Sequence, residues 1–86
     1  MDSFKIFFKR SAEKELRRIS QPHLSQILKR IQSLAAEPRP EGIHRLKGEG
    51  RHFRLRQGDY RIIYEVDDAR GEVMIIKIGH RREVYE

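Results

Sequence analysis

The sequence predicts one α+β domain in which a helical hairpin packs on one face of a mainly antiparallel, four-stranded sheet. Three observations support this fold class. The length of 86 residues suits a single domain over residues 1–86, and the chain has no internal repeat or linker. Apolar residues recur at helical spacing between residues 12 and 35, and segments with alternating patterns follow from residue 52 onward. The expected order of elements is β-α-α-β-β-β.

The first half of the chain carries one strand and two helices. Residues 3–8 are rich in aromatic and β-branched side chains, which favour a strand. Ser11 can cap the first helix, whose apolar face consists of Ala12, Leu16 and Ile19. Pro22 suits the first position of the second helix, and Pro38 and Pro40 are expected to end it. The apolar stripe of this second helix consists of Leu24, Ile27, Leu28, Ile31, Leu34 and Ala35. Since the two helices are almost contiguous, we expect an antiparallel hairpin.

The second half of the chain is predicted to be a loop followed by a three-stranded meander. Residues 41–50 include three glycines and are expected to form the loop. The strands are expected at residues 52–57, 60–67 and 72–79. Gly58-Asp59 has the composition of a two-residue type II′ hairpin turn, with glycine first. A turn of this kind sets the register of the two strands that it joins.

The predicted register places Arg56 opposite Arg61 and sends both, together with Arg54, to the face away from the helices. The alternating apolar residues that point toward the helices are Phe53, Leu55, Ile62 and Tyr64. Like charges directly opposite each other destabilise a sheet, whereas clustered guanidinium groups bind phosphate well. Any single arginine is alternatively a solvated residue, or a partner of Glu65 or Glu83. The cluster as a whole favours an anion-binding site.

Charge and composition favour some classes of protein function and exclude others. The formal net charge of +6 favours an anionic partner such as nucleic acid or an acidic protein, although a merely basic protein has the same balance. The absence of cysteine excludes disulfides and thiolate metal sites, and the four histidines lack the spacing of a zinc site. No apolar run approaches the ~20 residues of a membrane span. The charged residues 1–9 do not resemble a signal peptide, so we expect a cytoplasmic protein that uses no metal or other cofactor.

Candidate catalytic side chains accompany the arginines. His52 is the one histidine that the alternation places on the arginine face, and it is a candidate general base. The alternative is a surface histidine without a role. If the last strand is antiparallel to its neighbour, its end returns to the level of Tyr60 and Arg61. Arg81 and Tyr85 then reach the same groove, although Tyr85 is alternatively a packing residue at the sheet edge.

These side chains suit the cleavage of RNA, which carries its own nucleophile in the 2′-hydroxyl group. A cleaving protein has to accept the proton of that hydroxyl, stabilise charge on the phosphorane oxygens and protonate the departing 5′-oxygen. Histidine, arginine and tyrosine side chains supply these functions without a metal ion. An aromatic ring can also stack on an unpaired base.

Three segments of the sequence carry a resemblance to a known family. They are Leu46-Lys47-Gly48, the run from Phe53 to Tyr64 (FRLRQGDYRIIY), and the run from Ile78 to Tyr85 (IGHRREVY). Together with the order of the elements, they make the whole chain similar to the RelE branch of the RelE/ParE toxin superfamily. This resemblance implies a toxin of a type II toxin–antitoxin system that cleaves mRNA in the ribosomal A site. It also implies inhibition by a co-expressed acidic antitoxin of the RelB type.

The resemblance assigns roles to individual residues. Arg61 matches the arginine that stabilises the phosphate, and Arg81 matches the arginine usually regarded as the general acid. Tyr85 matches the tyrosine that orients the 2′-hydroxyl or stacks on a base, and Arg54 matches a basic residue of the first meander strand. His52 stands where the best-studied pattern has a lysine proposed as the base. The further residues expected to bind RNA phosphates are Lys47, Arg51, Arg56 and Arg82.

Two other functions remain open at the level of sequence. One is a ParE-like inhibitor of gyrase without catalytic activity, since the ParE branch shares the fold. The other is a non-catalytic RNA-binding module. The joint presence of Arg61, Arg81 and Tyr85 favours the ribonuclease, because RNA binding alone does not require these three residues together. The expected partners are therefore an acidic RelB-like antitoxin, the ribosome and mRNA, and no membrane.

Overall fold

Strand β1 (Lys5–Phe8) lies at one edge of a mixed five-stranded sheet in the computed structural model. The structure describes residues 3–46 and 51–80. Helices α1 (Arg10–Arg17) and α2 (His23–Ser33) follow β1. The other strands are β2 (His44–Arg45), β3 (His52–Gln57), β4 (Tyr60–Asp67) and β5 (Glu72–His80). The strand order is β1-β5-β4-β3-β2, with β1 parallel to β5 and the other neighbours antiparallel. The predicted α+β class is confirmed.

The predicted number of four strands is wrong, because β2 lies within the segment 41–50 that was expected to be a loop. His44 pairs with Arg54 and Arg45 pairs with Phe53. The Leu46 N–H then donates to the His52 carbonyl over 3.0 Å. A strand of two residues is too short to show an alternating pattern, so its formation depends on the neighbouring β3 and not on its own sequence.

Both helix starts differ from the sequence prediction by a residue or more. Helix α1 begins at Arg10 with Lys9 as its N-cap, so the prediction of Ser11 as the cap is wrong. The Lys9 N–H still bonds to the Ile75 carbonyl of β5, while the Lys9 carbonyl accepts from Glu13. The chain therefore passes directly from strand to helix, and the β1–β5 pairing sets the helix start. Pro22 is the N-cap of α2 and not its first residue.

The hydrophobic core lies between the helices and one face of the sheet. From the segment that contains the helices, it takes the buried side chains of Ala12, Ile19, Ile27, Ile31 and Leu34. From the sheet, it takes Phe53, Leu55, Ile62, Tyr64, Val66, Val73, Ile75 and Ile78. The four meander residues predicted to face the helices are all in this set, so the predicted inward face is confirmed. The opposite face of β3 and β4 carries Arg54, Arg56 and Arg61, together with the buried Ile63 opposite Arg54.

The chain after α2 is tied to the sheet by two interactions. The buried Tyr64 hydroxyl donates to the Pro38 carbonyl over 2.7 Å. The guanidinium of Arg39 forms two hydrogen bonds with the carboxylate of Asp68, and this contact holds the pKa of Asp68 below its ordinary value. These contacts place residues 38 and 39 beside β4 and the following turn. The chain then continues into β2 at the edge of the sheet.

The hairpin between β3 and β4 has the predicted turn and register. Gly58 has a φ of +59°, and no non-glycine residue described has a positive φ, which fits a type II′ turn with glycine first. Gln57 pairs with Tyr60, and Arg56 pairs with Arg61. The register prediction is confirmed, and with it the placement of the arginines relative to each other.

Candidate functional site

A cavity of about 270 Å³ opens on the sheet face away from the helices. Its described lining residues come from the segment before β3 and from the two central hairpin strands. They are Gly42, Ile43, His44, Arg54, Arg56 and Arg61. We call this feature the arginine pocket. Its size and shallow position suit part of a nucleotide or a phosphate group, and not an enclosed small-molecule substrate.

The hairpin register brings the three arginines together. Arg54 and Arg56 are two residues apart on β3 and therefore share a face, and Arg61 of β4 is directly opposite Arg56. The Arg56 Nε also donates to the Gly58 carbonyl over 3.1 Å, which orients this side chain along the turn. The predicted convergence of these three residues is confirmed. Their recruitment to one site follows from the alternation of β3 and the two-residue turn.

The electrostatics of the arginine pocket favour an anion. The pKa of Arg54 is lowered, first by burial of its guanidinium and second by the positive charge of Arg61. Among the described residues that line the pocket, none is acidic. The fold thus holds like charges close together, which disfavours the unliganded arrangement and favours a bound phosphate.

His52 lies on the predicted face but outside the described lining of the arginine pocket. Its cross-strand partner is Glu65, and the two side chains are in contact, with His52 Nε2 3.3 Å from Glu65 Oε2. Each of these side chains is about one-third exposed. Glu65, considered from sequence as a partner for an arginine, is thus paired with His52 instead.

His44 is the residue of this site that sequence reasoning missed. It lines the arginine pocket and lies opposite Arg54 in the register of β2 and β3. The alternation predicted His52 to be the one histidine on the arginine face. That prediction is wrong, because His44 also lies on this face. The only sequence signal for His44 is that it stands at the start of the basic stretch 44–61. That signal does not reveal which side chains face the pocket.

Five predicted site residues remain. Four of them lie outside the described residues: Lys47, Arg81, Arg82 and Tyr85. Arg51 is exposed, and its carbonyl accepts a hydrogen bond from Val66 over 3.1 Å. The end of β5 does return to the predicted level, since His80 pairs with Tyr60 and Gly79 pairs with Arg61. The end of β5 therefore lies beside the start of β4.

A second and larger cavity, of about 380 Å³, is lined by residues at the C-terminal end of α1 and directly after it, by the start of β4 and by the end of β5. Its lining includes Arg18, Tyr60 and His80. Its acidic residue, Glu15, is already engaged: one carboxylate oxygen accepts from the Ile78 N–H over 3.0 Å, and the other is 3.2 Å from the Lys77 ammonium. Glu15 thereby satisfies an edge N–H of β5 beyond the end of β1. This cavity has mixed charge and does not concentrate cations as the arginine pocket does.

Within residues 3–46 and 51–80, no group of three or more His, Asp or Glu side chains is arranged to hold a metal ion. In the same described part of the chain, no helix has the length and apolar character needed to cross a membrane.

Comparison with protein families gives one match over nearly the whole chain. The family model described as the ParE toxin of type II toxin–antitoxin system, parDE, matches residues 6–85. Among curated proteins, the toxin RelG of Mycobacterium tuberculosis is 39% identical over 33 residues. This match spans 38% of the chain and only 38% of the length of that relative.

Solved structures of similar fold include several RelE toxins. The toxin–antitoxin complex RelBE2 from Mycobacterium tuberculosis contains a chain that is 26% identical, with a TM-score of 0.80, covering 92% of this chain and 99% of that one. The archaeal RelE–RelB complex from Pyrococcus horikoshii OT3 gives 27% identity and a TM-score of 0.82, covering 94% and 98%. The isolated E. coli RelE toxin gives 25% identity and a TM-score of 0.80, covering 90% and 83%.

Proposed function

The chain belongs to the ParE toxin family of type II toxin–antitoxin systems, in the RelE branch of the RelE/ParE superfamily, and on this basis we propose that it cleaves mRNA in the A site of the ribosome. The observation that carries this proposal is the arginine pocket, in which three guanidinium groups converge on one open face. The proposed site of action is the cytoplasm, where translating ribosomes are found.

The proposed reaction is attack of a 2′-hydroxyl on the adjacent phosphate. The 2′-hydroxyl loses its proton to a base as its oxygen bonds to phosphorus, and the bond from phosphorus to the 5′-oxygen breaks. Arg61, opposite Arg56 and within the electrostatic reach of Arg54, stabilises the negative charge on the phosphorane oxygens. In this proposal, Arg81 protonates the departing 5′-oxygen and Tyr85 orients the 2′-hydroxyl or stacks on a base.

Other basic residues are proposed to position the RNA and not to react with it. They are Lys47, Arg51, Arg56 and Arg82. His52 is the base that the family resemblance implies, and its Nε2 lies 3.3 Å from Glu65 Oε2. The proposed chemistry needs only protein side chains, since the nucleophile belongs to the RNA itself.

The dependence on the ribosome follows from the open geometry of the site. A cavity of about 270 Å³ on a sheet face cannot by itself hold flexible RNA with the 2′-oxygen in line with the departing 5′-oxygen. Such positioning is worth up to roughly 7–11 kcal/mol. The ribosome supplies it by holding the codon, and the phosphates of ribosomal RNA attract a chain of net charge +6.

The catalytic assignment is tested by alanine substitution of Arg61 and Arg81. Each variant is expected to lose growth arrest on expression, because loss of a preorganised transition-state stabiliser typically costs about 10²–10³ in rate. The control is Arg70→Ala, which alters an exposed arginine in the turn after β4 and should retain growth arrest. Growth arrest by both Arg61→Ala and Arg81→Ala, with folding confirmed by circular dichroism, would contradict the assignment.

A second function is favoured by the family match itself. The matching family model is that of the ParE toxin, and the ParE branch of the superfamily inhibits gyrase. In that case the arginine pocket binds a partner and catalyses no reaction. A gyrase supercoiling assay with the purified chain distinguishes this function from RNA cleavage.

An acidic antitoxin is the proposed protein partner. Structures of similar fold include complexes of RelE toxins with RelB antitoxins from Mycobacterium tuberculosis and Pyrococcus horikoshii OT3. The net charge of +6 and the exposed arginines suit fast, salt-sensitive association with an acidic segment. Co-expression of the adjacent reading frame should relieve growth arrest. A pull-down in which no neighbouring product binds the chain would contradict this proposal.

A further inference from the structure

We propose that His44, and not His52, is the general base that accepts the 2′-hydroxyl proton. This inference rests on the proposed ribonuclease function and names a residue of its site. The observation behind it is the position of His44 in β2, opposite Arg54 and in the lining of the arginine pocket.

The direction of the His44 side chain follows from its neighbour in β2. The guanidinium of Arg45 lies 5.4 Å from the centre of the Phe53 ring, and Phe53 is buried in the core on the helix side. Successive residues of a strand point to opposite faces, so His44 points to the open face. The register also pairs it with Arg54, and directly opposite residues of an antiparallel pair have Cβ atoms only about 4.5–5.5 Å apart.

The chemistry of the described lining residues leaves one proton acceptor. Gly42 and Ile43 carry no titratable side chain, and the guanidinium groups stay protonated and cannot accept a proton. These groups are Arg54 and Arg56 on β3 and Arg61 on β4. A neutral imidazole, by contrast, has a ring nitrogen that can accept a proton. His44 is therefore the described residue of the pocket that is able to act as the base.

His52 is less well placed for this step. It is two residues before Arg54 on β3, and it does not appear among the described residues that line the pocket. Its Nε2 already lies 3.3 Å from the carboxylate of Glu65. His52 thus lies outside the described lining of the pocket and contacts the neighbouring strand β4 through Glu65.

His44 takes the proton of the 2′-hydroxyl while the 2′-oxygen bonds to phosphorus, and the bond to the 5′-oxygen breaks. The departing oxygen takes a proton from the general acid, and the products are a 2′,3′-cyclic phosphate and a 5′-hydroxyl. The imidazolium of His44 then releases its proton to water, and the deprotonated general acid takes one up, which restores both groups.

The test is single-turnover cleavage of ribosome-bound mRNA by the full chain and its His44→Gln and His44→Ala variants. Loss of a general base should slow cleavage by roughly 10²–10⁴-fold and remove the acidic limb of the pH–rate profile. Added imidazole should restore part of the activity of His44→Ala, which a merely structural role would not allow. The matched control is His23→Gln, which changes an exposed histidine of α2 and should leave the rate unchanged.

The possible outcomes separate this inference from the function on which it rests. If the unsubstituted chain leaves ribosome-bound mRNA intact, the proposed function itself fails. If that chain cleaves and both His44 variants keep its rate, the assignment of His44 is wrong. A greater loss in His52→Gln than in His44→Gln also overturns it, as does a loss in the His44 variants that retains the acidic limb and is not rescued by imidazole. His44 is exposed and outside the core, so both variants should fold, which circular dichroism checks.

Discussion

Replacing Arg61 with glutamine should stabilise the folded chain at low salt while it removes the proposed activity. Arg61 is directly opposite Arg56 and lowers the pKa of Arg54 through its charge, so it takes part in two unfavourable like-charge contacts. A cross-strand pair contributes roughly 0.2–1 kcal/mol in either direction. Because Arg56 is exposed and Arg61 only half-buried, solvent screening places the net gain in the lower half of this range, at about 0.5 kcal/mol. That gain corresponds to about 2–4 °C in Tm.

The assay is urea unfolding, followed by circular dichroism, at two salt concentrations. The gain from Arg61→Gln should be present at about 0.01 M salt and largely absent at about 1 M, where the Debye length falls from ~30 to ~3 Å. Arg70→Gln is the matched control, because Arg70 lies in an exposed turn away from the arginine pocket. Destabilisation by Arg61→Gln at low salt, or a gain that is the same at both salt concentrations, would refute the view that the pocket is electrostatically strained.

The other predictions concern stability and are measured by urea unfolding. Tyr64→Phe should cost about 1–3 kcal/mol, because it leaves the buried Pro38 carbonyl without its donor. Burial raises the pKa of Tyr64 from 10.0 to about 12, so the chain should lose stability as the pH rises through that interval, and Tyr64→Phe should lack this component of the loss. Glu15→Ala should cost roughly 1–3 kcal/mol by removing the acceptor of the Ile78 N–H, whereas Glu15→Gln, which keeps an acceptor oxygen, should cost less. Ile31→Ala should cost about 2–5 kcal/mol, because Ile31 is fully buried in the core. Equal stabilities of Glu15→Ala and Glu15→Gln, or a milder effect of Ile31→Ala, would contradict these assignments.

The central hairpin could be predicted from sequence because its information is local. Glycine at position 58 determines a two-residue turn, the turn determines the register, and alternation then places each side chain on a face. The convergence of Arg54, Arg56 and Arg61 follows from these three steps. The arginine pocket could therefore be predicted from sequence, because the turn, the register and the alternation that form it are all local.

The errors lie where an element depends on a distant partner. The two residues of β2 become a strand only because β3 lies beside them, so His44 could not be assigned to a face from its own segment. The start of α1 is set by pairing between β1 and β5, which overrides the capping tendency of Ser11. The assignments of Lys47, Arg81, Arg82 and Tyr85 lie outside the described residues and stay predictions.

The proposal that the chain is a ribosome-dependent ribonuclease is tested most directly by primer extension on a defined mRNA, with and without programmed ribosomes. A parallel gyrase supercoiling assay uses the same preparation of the chain. We expect cleavage within codons of ribosome-bound mRNA, little cleavage of free mRNA and no inhibition of gyrase. Intact mRNA in both reactions together with inhibited supercoiling would contradict the proposal, and would leave Arg61 and the other arginines of the pocket as residues that bind a protein partner.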